Sequence, residues 1–447
     1  MGLAMAAAAA LVATSLTVQA PAPSEPTVAT ASDSEGLTLS WTAEVAGKYP
    51  SAPVVSDGMV FVASKQTVAA FPVRCGTAGG NCTPLWVGRI PGRFGTLTVS
   101  DGVAYVGSAN VLAAFSASCR TDGGRCLPIW EAHLVGGISA APQVTEDAIY
   151  LTTYSGEHAR LYAFQKQCRN LCQPTWFALS GQSLMGSPVV SSGIVFVSRL
   201  YNSSYIDNEL HAYSVSCGSH GERCEPIWVT STGGSFGGST SPRLVGQHVV
   251  VGSGGYVWWF RTRCRPSQEK CRPSSRWKGG GAGAVFPVVV RDENIYAVTG
   301  GTLHAFSAGC ALITARCVPA WNSQTSEPLH GYPAISEDTV FMPTKENGLY
   351  AFPTDCATTT ATCGPIWSGS IPNGDRVDAL ATGLGLVFVV ARRGGIFAFP
   401  ASCEESPCGA IWQEDLRADG PPVTSEADRM VFLTSGGLLY AFEVPPT

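Results

Sequence analysis

Charge is scarce in this chain. Only 14% of its 447 residues are Asp, Glu, Lys or Arg, and the formal net charge is −5. A sequence like this presents no field that would gather a polyanion, so nucleic acid is not an expected partner. Beyond the N-terminus no segment is long and apolar enough to span a bilayer, so no integral membrane span is expected once that segment is removed. Helix signals are nearly absent, which leaves short strands as the building material. GxSxG, HExxH, a phosphate-cradling glycine loop and paired acids at defined spacing are also missing. Hydrolytic and phosphoryl-transfer sites are built on those arrangements.

What is present is a chain with 45% apolar residues, 50 Gly and 30 Pro, enough to bury a large core and supply many turns. The first residues, MGLAMAAAAALVATSLTVQA, combine an apolar stretch with the small-residue end Val18-Gln19-Ala20. Residues 1–20 are expected to be a signal peptide, although the n-region lacks Lys or Arg and a retained membrane anchor is the rival reading. No cysteine precedes Cys75, so an acylated-cysteine anchor is not expected. Residues 21–36 are rich in Pro, Ser, Thr and Ala and are expected to be a disordered linker. Residues 37–447 are expected to form one domain in an extracytoplasmic, cell-envelope setting, as a monomer.

Aligning the chain on its Trp residues exposes a period of about 45 residues, the size of a four-stranded propeller blade. Each unit opens on a Pro-led apolar run, as in APVVSDG at 52 and SPVVSSG at 187. A β-rich run follows, then a strand ending on Ala-aromatic, such as Ala70-Phe71 or Ala351-Phe352. The fifth unit departs, carrying Trp259-Phe260 there. The fourth strand carries Trp86, Trp130, Trp176, Trp228, Trp277, Trp321, Trp367 or Trp412. Radial repetition of such strands hides the sheet edges that a flat stack would expose, so an all-β propeller is expected.

The three-strand part occurs nine times, but the ninth copy stops at the C-terminus without its fourth strand. LTLSWTAEV, with Trp41, supplies the missing strand at the other end. Nine blades closed by a clasp between the termini are expected, with eight as the alternative. The cysteines pair locally as Cys75/Cys82, Cys119/Cys126, Cys168/Cys172, Cys217/Cys224, Cys264/Cys271, Cys310/Cys317, Cys356/Cys363 and Cys403/Cys408. An even count of local pairs in an exported chain reads as disulfides, each stapling the turn between third and fourth strands. Zinc would need clustered thiolates or His, and pairs on separate blades lie too far apart to share a metal. The Trp residues are expected to wedge between adjacent blades.

Over residues 37–444 these features resemble the PQQ-like β-propeller repeats of quinoprotein dehydrogenases. The resemblance implies a tryptophan-docking motif, running from an Ala near the end of the third strand, through a turn, to a Trp on the fourth. Ala114, CRTDGGRC and Trp130 stand in those positions. The cysteine-bridged loop replaces a shorter turn, a variant that looks like exported actinobacterial members. The family includes quinoprotein enzymes, outer-membrane assembly scaffolds and binding proteins. The enzymes typically carry adjacent cysteines over the cofactor, calcium ligands and sometimes a CxxCH haem site. Neither a Cys-Cys dipeptide nor CxxCH occurs here, so PQQ is possible but unsupported by enzyme-specific motifs. In none of the units does Asp follow the Trp, which weakens a WD40 reading.

The expected function is therefore a non-catalytic binding or assembly scaffold for an envelope protein or polymer. A quinone-binding or hydrolytic enzyme using the channel, or a sensor ectodomain, are the alternatives. The fourth-to-first and second-to-third loops share one face and vary most between units. Arg93, His133, Tyr201, Tyr205, His330, Tyr332, Arg376 and Asp378 are the candidate binding residues there, with Asp375, Arg392 and Arg393 also on that face. A second candidate is a basic patch in the fifth unit, Arg261, Arg263, Arg265 and Arg272, with Trp258 and Trp259 beside it. His211 and His304 are expected to be structural strand residues.

Overall fold

Strands that are apolar at nearly every position can persist only where both faces are covered. The second and third strands of every unit have that character, as in Val103–Ser108 and Val111–Ser116, whose residues are buried almost throughout. In the computed structural model each unit is accordingly a small antiparallel sheet packed between two others, and nine such sheets form a nine-bladed β-propeller. The structure describes residues 36–446 apart from 47–49, 77–78, 93, 120–123, 157, 182, 202–207, 234–239, 265–269, 280–287, 314–315, 357–360 and 373–374. The expected signal peptide and nearly all of the expected linker lie outside the described residues.

Blade 1 is typical, with strands Val54–Ser56, Met59–Ala63, Thr67–Pro72 and Trp86–Arg89 in spatial order. First strands of adjacent blades touch one another, which puts them at the axis and the fourth strands at the circumference. Asp57-Gly58 and Asp101-Gly102 turn the first hairpins of blades 1 and 2 with positive φ at both residues, the geometry that favours Asp-Gly. Blade 9 combines Val423–Ser425, Met430–Ser435 and Leu438–Glu443 with Thr38–Glu44 from the N-terminus. Thr38 pairs with Glu443 and Glu44 with Leu438, so the expected clasp closes the ring.

The core lies between blades. In eight blades the docking Trp sits directly opposite the repeated Ala, as in Ala70–Trp86, Ala114–Trp130, Ala351–Trp367 and, across the clasp, Ala441–Trp41. The small residue leaves room for the indole, which crosses to the next blade. Trp86 stacks on Phe115 at 5.9 Å, and its Nε1 donates to the Ala117 carbonyl at 3.0 Å. Trp41, Trp176, Trp321 and Trp367 repeat that bond to Val73, Val215, Thr354 and Ala401. Burial of one such ring contributes about 4–6 kcal/mol of transfer free energy, before the entropy of ordering it.

Blade 5 breaks the register. Ser275 occupies the docking position, opposite Trp259, and Trp277 lies two residues further along, opposite Val257. Trp277 is therefore not the docking residue that the alignment on Trp made it. The large and small residues have exchanged strands: Trp259 fills the space from the third strand and is fully buried. Phe306 of blade 6 meets both Trp259 and Trp277 edge-on, at 5.3 and 5.2 Å. The signal was present in the sequence, since four residues separate Cys126 from Trp130 but six separate Cys271 from Trp277.

All eight expected disulfides form, Cys75–Cys82, Cys119–Cys126, Cys168–Cys172, Cys217–Cys224, Cys264–Cys271, Cys310–Cys317, Cys356–Cys363 and Cys403–Cys408, with Cα–Cα distances from 5.3 to 6.2 Å. They bracket the turns between third and fourth strands as expected, and the second cysteine of each pair reaches further, to the preceding blade. The first is half-buried, whereas Cys82, Cys126, Cys172, Cys224, Cys271, Cys317, Cys363 and Cys408 are buried. Each buried sulfur belongs to the junction with the preceding blade: Cys82 packs in one core with Trp41, Cys172 with Trp130, Cys224 with Trp176 and Cys317 with Trp259. Their amides cross the junction too. Cys82 N donates to the Thr42 carbonyl at 2.6 Å, and Cys172 N and Cys224 N donate to the Glu131 and Phe177 carbonyls at 2.7 Å. Cys317 N donates to Ser275 Oγ at 2.7 Å, because blade 5 has Ser at its docking position.

Short strands extend this attachment. Arg125 and Cys126, in the loop of blade 2, pair in parallel with Val87 and Gly88 of blade 1's outermost strand. Gly80–Asn81, Asn170–Leu171, Glu222–Arg223 and Thr362–Cys363 add in the same way to the preceding blades. Cys408 bridges to Gly369. At the junction of blades 4 and 5 a side chain substitutes, the Thr230 hydroxyl accepting from Cys271 N at 3.1 Å and donating to its carbonyl. Each loop thus covers an edge strand that would otherwise present unpaired backbone groups.

Candidate functional site

Antiparallel alternation puts the second-to-third and fourth-to-first connections of every blade at the same end of the ring. A cleft of about 690 Å³ opens there, lined by residues of three consecutive blades. Lys345 comes from the second-to-third loop of blade 7, and Arg392 and Arg393 from that of blade 8. Asp375 and Arg376 precede the first strand of blade 8, and Arg417 lies between blades 8 and 9. Glu346 completes the charged lining.

The loops are tied together by Asp375. Its buried carboxylate accepts from Arg376 N at 2.8 Å and from Arg393 N at 2.5 Å. Arg392 N donates to the Arg376 carbonyl, and Arg376 Nε donates to the Lys345 carbonyl, both at 2.8 Å. Among the described residues, none of the five cations makes an ion pair. The imidazole of His330 lies in their field: partial burial, then the charges of Arg376 and Lys345, hold its pKa below 6.5.

Arg376 and His330 of the candidate face are thus brought together, and Asp375, Arg392 and Arg393 join them. Asp378 lies exposed at a β-bulge between Val377 and Ala379, and Tyr332 is exposed just after His330 in sequence. His133 ends the outer strand of blade 2 and does not line this cleft. Arg93 and Tyr205 lie outside the described residues, as does the side chain of Tyr201. Lys345 and Arg417 were not singled out from the sequence, because single cations in turns carry no pattern until the ring juxtaposes them.

The basic patch takes a different form from the one expected. Arg261, Arg263 and Arg272 are exposed, and Arg265 lies outside the described residues. Trp258 and Trp259 are buried inter-blade residues, so they offer no aromatic surface beside those arginines. Arg276 instead lies over the Trp258 and Tyr256 rings, at 5.6 and 6.0 Å. His211 is buried on a third strand, with Nε2 2.8 Å from the Glu209 carboxylate. His304 is buried beneath Trp277, with Nδ1 2.6 Å from Asn322 Oδ1.

A calcium-held quinone needs converging oxygen donors and a surface for its planar ring. Among the described residues no three His, Cys, Asp or Glu side chains converge as metal donors. The cleft lining contains no aromatic ring to lie against a planar quinone. Every cysteine is consumed in a hairpin disulfide, so no adjacent pair is available. The described residues of this cleft do not form such a site.

Residues 9–220 match the family described as outer membrane protein assembly factor BamB. No curated protein matches the chain. Similar solved structures include BamB from Moraxella catarrhalis, 13% identical over 78% of this chain and 96% of that one, with a TM-score of 0.53. The quinohemoprotein alcohol dehydrogenase from Comamonas testosteroni is 12% identical over 92% of this chain and 78% of its own, also at 0.53. The computationally designed Ika8 protein is 9% identical over 91% and 100%, at the same score. At these identities the structures speak to fold alone. With the repeated Ala–Trp docking register and the nine blades it joins, the chain has the fold of these propellers, and the match over residues 9–220 supports a PQQ-like β-propeller repeat.

Proposed function

We propose that the protein is an extracytoplasmic, non-catalytic scaffold that recognises its ligand or partner through the face carrying the second-to-third and fourth-to-first loops. Residues 1–20 act as the export signal, residues 21–36 as a linker, and the ring works as a monomer at the cell envelope. The observation that carries this reading is the convergence of loops from three blades into one pre-tied cleft of cations. It supplies several cationic binding groups on loops held in place by hydrogen bonds. Eight disulfides agree with a compartment outside the cytoplasm.

The test is a titration of the oxidised protein with pyrroloquinoline quinone, with and without calcium, followed by Trp fluorescence and calorimetry. The scaffold reading expects no calcium-dependent saturable binding. One-to-one binding that needs calcium and survives replacement of Arg392 and Arg393 by Ser would overturn it in favour of a cofactor enzyme. In parallel, a photo-crosslinking residue at Tyr332 should give a discrete adduct in envelope preparations, whereas one at Asp338 on the opposite face should not.

A further inference from the structure

Five cations that converge without ion-pair partners repel one another, and folding tolerates this only because the loops carrying them are held by other bonds. Here those bonds are identifiable. Asp375 spends both carboxylate oxygens on backbone amides, and the carbonyls of Arg376 and Lys345 accept the remaining links. The guanidinium and ammonium groups of Lys345, Arg376, Arg392, Arg393 and Arg417 are consequently left exposed toward the cleft, whose lining holds the carboxylates of Asp375 and Glu346, with Asp419 near Arg417.

We infer that this cleft, across blades 7, 8 and 9, is a binding site for a compact, multiply charged oxyanion, such as a phosphorylated sugar or polyol. Guanidinium groups present paired donors that match phosphoryl and carboxylate oxygens. Four of the five cations are arginines, carried on three loops, so a ligand with several charged groups can engage more than one at once. At about 690 Å³ the cleft accommodates a molecule of that size. The pre-tied loops lower the entropy of ordering it. This deepens the scaffold reading and rests on it.

The experiment is calorimetry on the full, disulfide-intact chain with sodium tripolyphosphate and, separately, citrate, at low and at physiological salt. Saturable one-to-one binding is expected, weakened about tenfold or more by Arg392→Ser/Arg393→Ser. Arg261→Ser/Arg263→Ser, which removes the same charge elsewhere, should leave it unchanged. Circular dichroism and melting temperature confirm that each variant is folded. Preference for tripolyphosphate assigns a phosphoryl ligand, and equal or better binding of citrate assigns a carboxylate ligand. Non-saturating binding, or equal loss in both double variants, would reduce the effect to net charge and overturn the site. If binding fails while the Tyr332 adduct persists, the cleft assignment falls and the scaffold reading stands. If both fail, both fall.

Discussion

At the scale of single residues, the exchange in blade 5 shows that a blade junction specifies volume rather than a residue at a position. Trp259 opposite Ser275 fills the space that Ala opposite Trp fills elsewhere. The buried indole N–H of Trp259 has no partner among the described residues, and neither has that of Trp228, which docks from blade 4 in the ordinary register opposite Ala212. Trp259→Ala alone should lose about 3–5 kcal/mol by leaving a cavity. Trp259→Ala/Ser275→Trp/Trp277→Gly restores the common pattern and should recover most of that loss, as thermal denaturation would reveal. The cleft offers a second readout. Arg376→Ala removes a positive charge beside His330, so the pKa of that imidazole should rise toward 6.5 in an NMR titration. An unchanged value would mean that burial and Lys345, not Arg376, depress it.

At the scale of elements, the cysteine loops join neighbours. Removing one disulfide takes away a constraint on a loop of roughly eight residues, worth about 2.5 kcal/mol in the chain-entropy model. Cys119→Ser/Cys126→Ser should also expose the preceding blade. The Val87 amide, which donates to the Gly124 carbonyl at 3.1 Å, should lose hydrogen-exchange protection, while the amides of blade 5 stay protected. This attachment could not be read from sequence. Cysteine spacing reports which sulfurs lie near each other, but burial of Cys82 or Cys224 against the previous blade depends on how far the loop projects around the ring. Strand identity was legible, because apolar runs, Asp-Gly turns and the Ala-to-Trp interval are local. The misassignment of Trp277 came from aligning on residue type instead of on distance from Cys271. The cleft was half legible: Asp375, Arg376, Arg392 and Arg393 lie in loops whose face follows from strand order. Their meeting with Lys345 and Arg417 is a property of the closed ring.

At the scale of the whole molecule, nine near-equivalent junctions distribute the core around the circumference, and the irregular connections are displayed at the ends. Blade 8 alone is followed by no cysteine loop, since blade 9 draws its fourth strand from the N-terminus. Leu37 instead packs with Trp412 in the core shared by blades 8 and 9. The clasp has a consequence in time. Thr38 is among the first residues of the ring to be made, and its partner Glu443 is among the last. The earliest strand must wait for the complete chain, and closing so long a loop is slow. A circular permutant opened at Asp419–Gly420, with Val444 joined to Leu37 by a short turn, makes blade 9 contiguous and should refold faster by stopped-flow Trp fluorescence. In the natural order the ring is sealed where beginning and end meet, so a chain that stops before Leu438 lacks the strand on which Thr38–Glu44 closes.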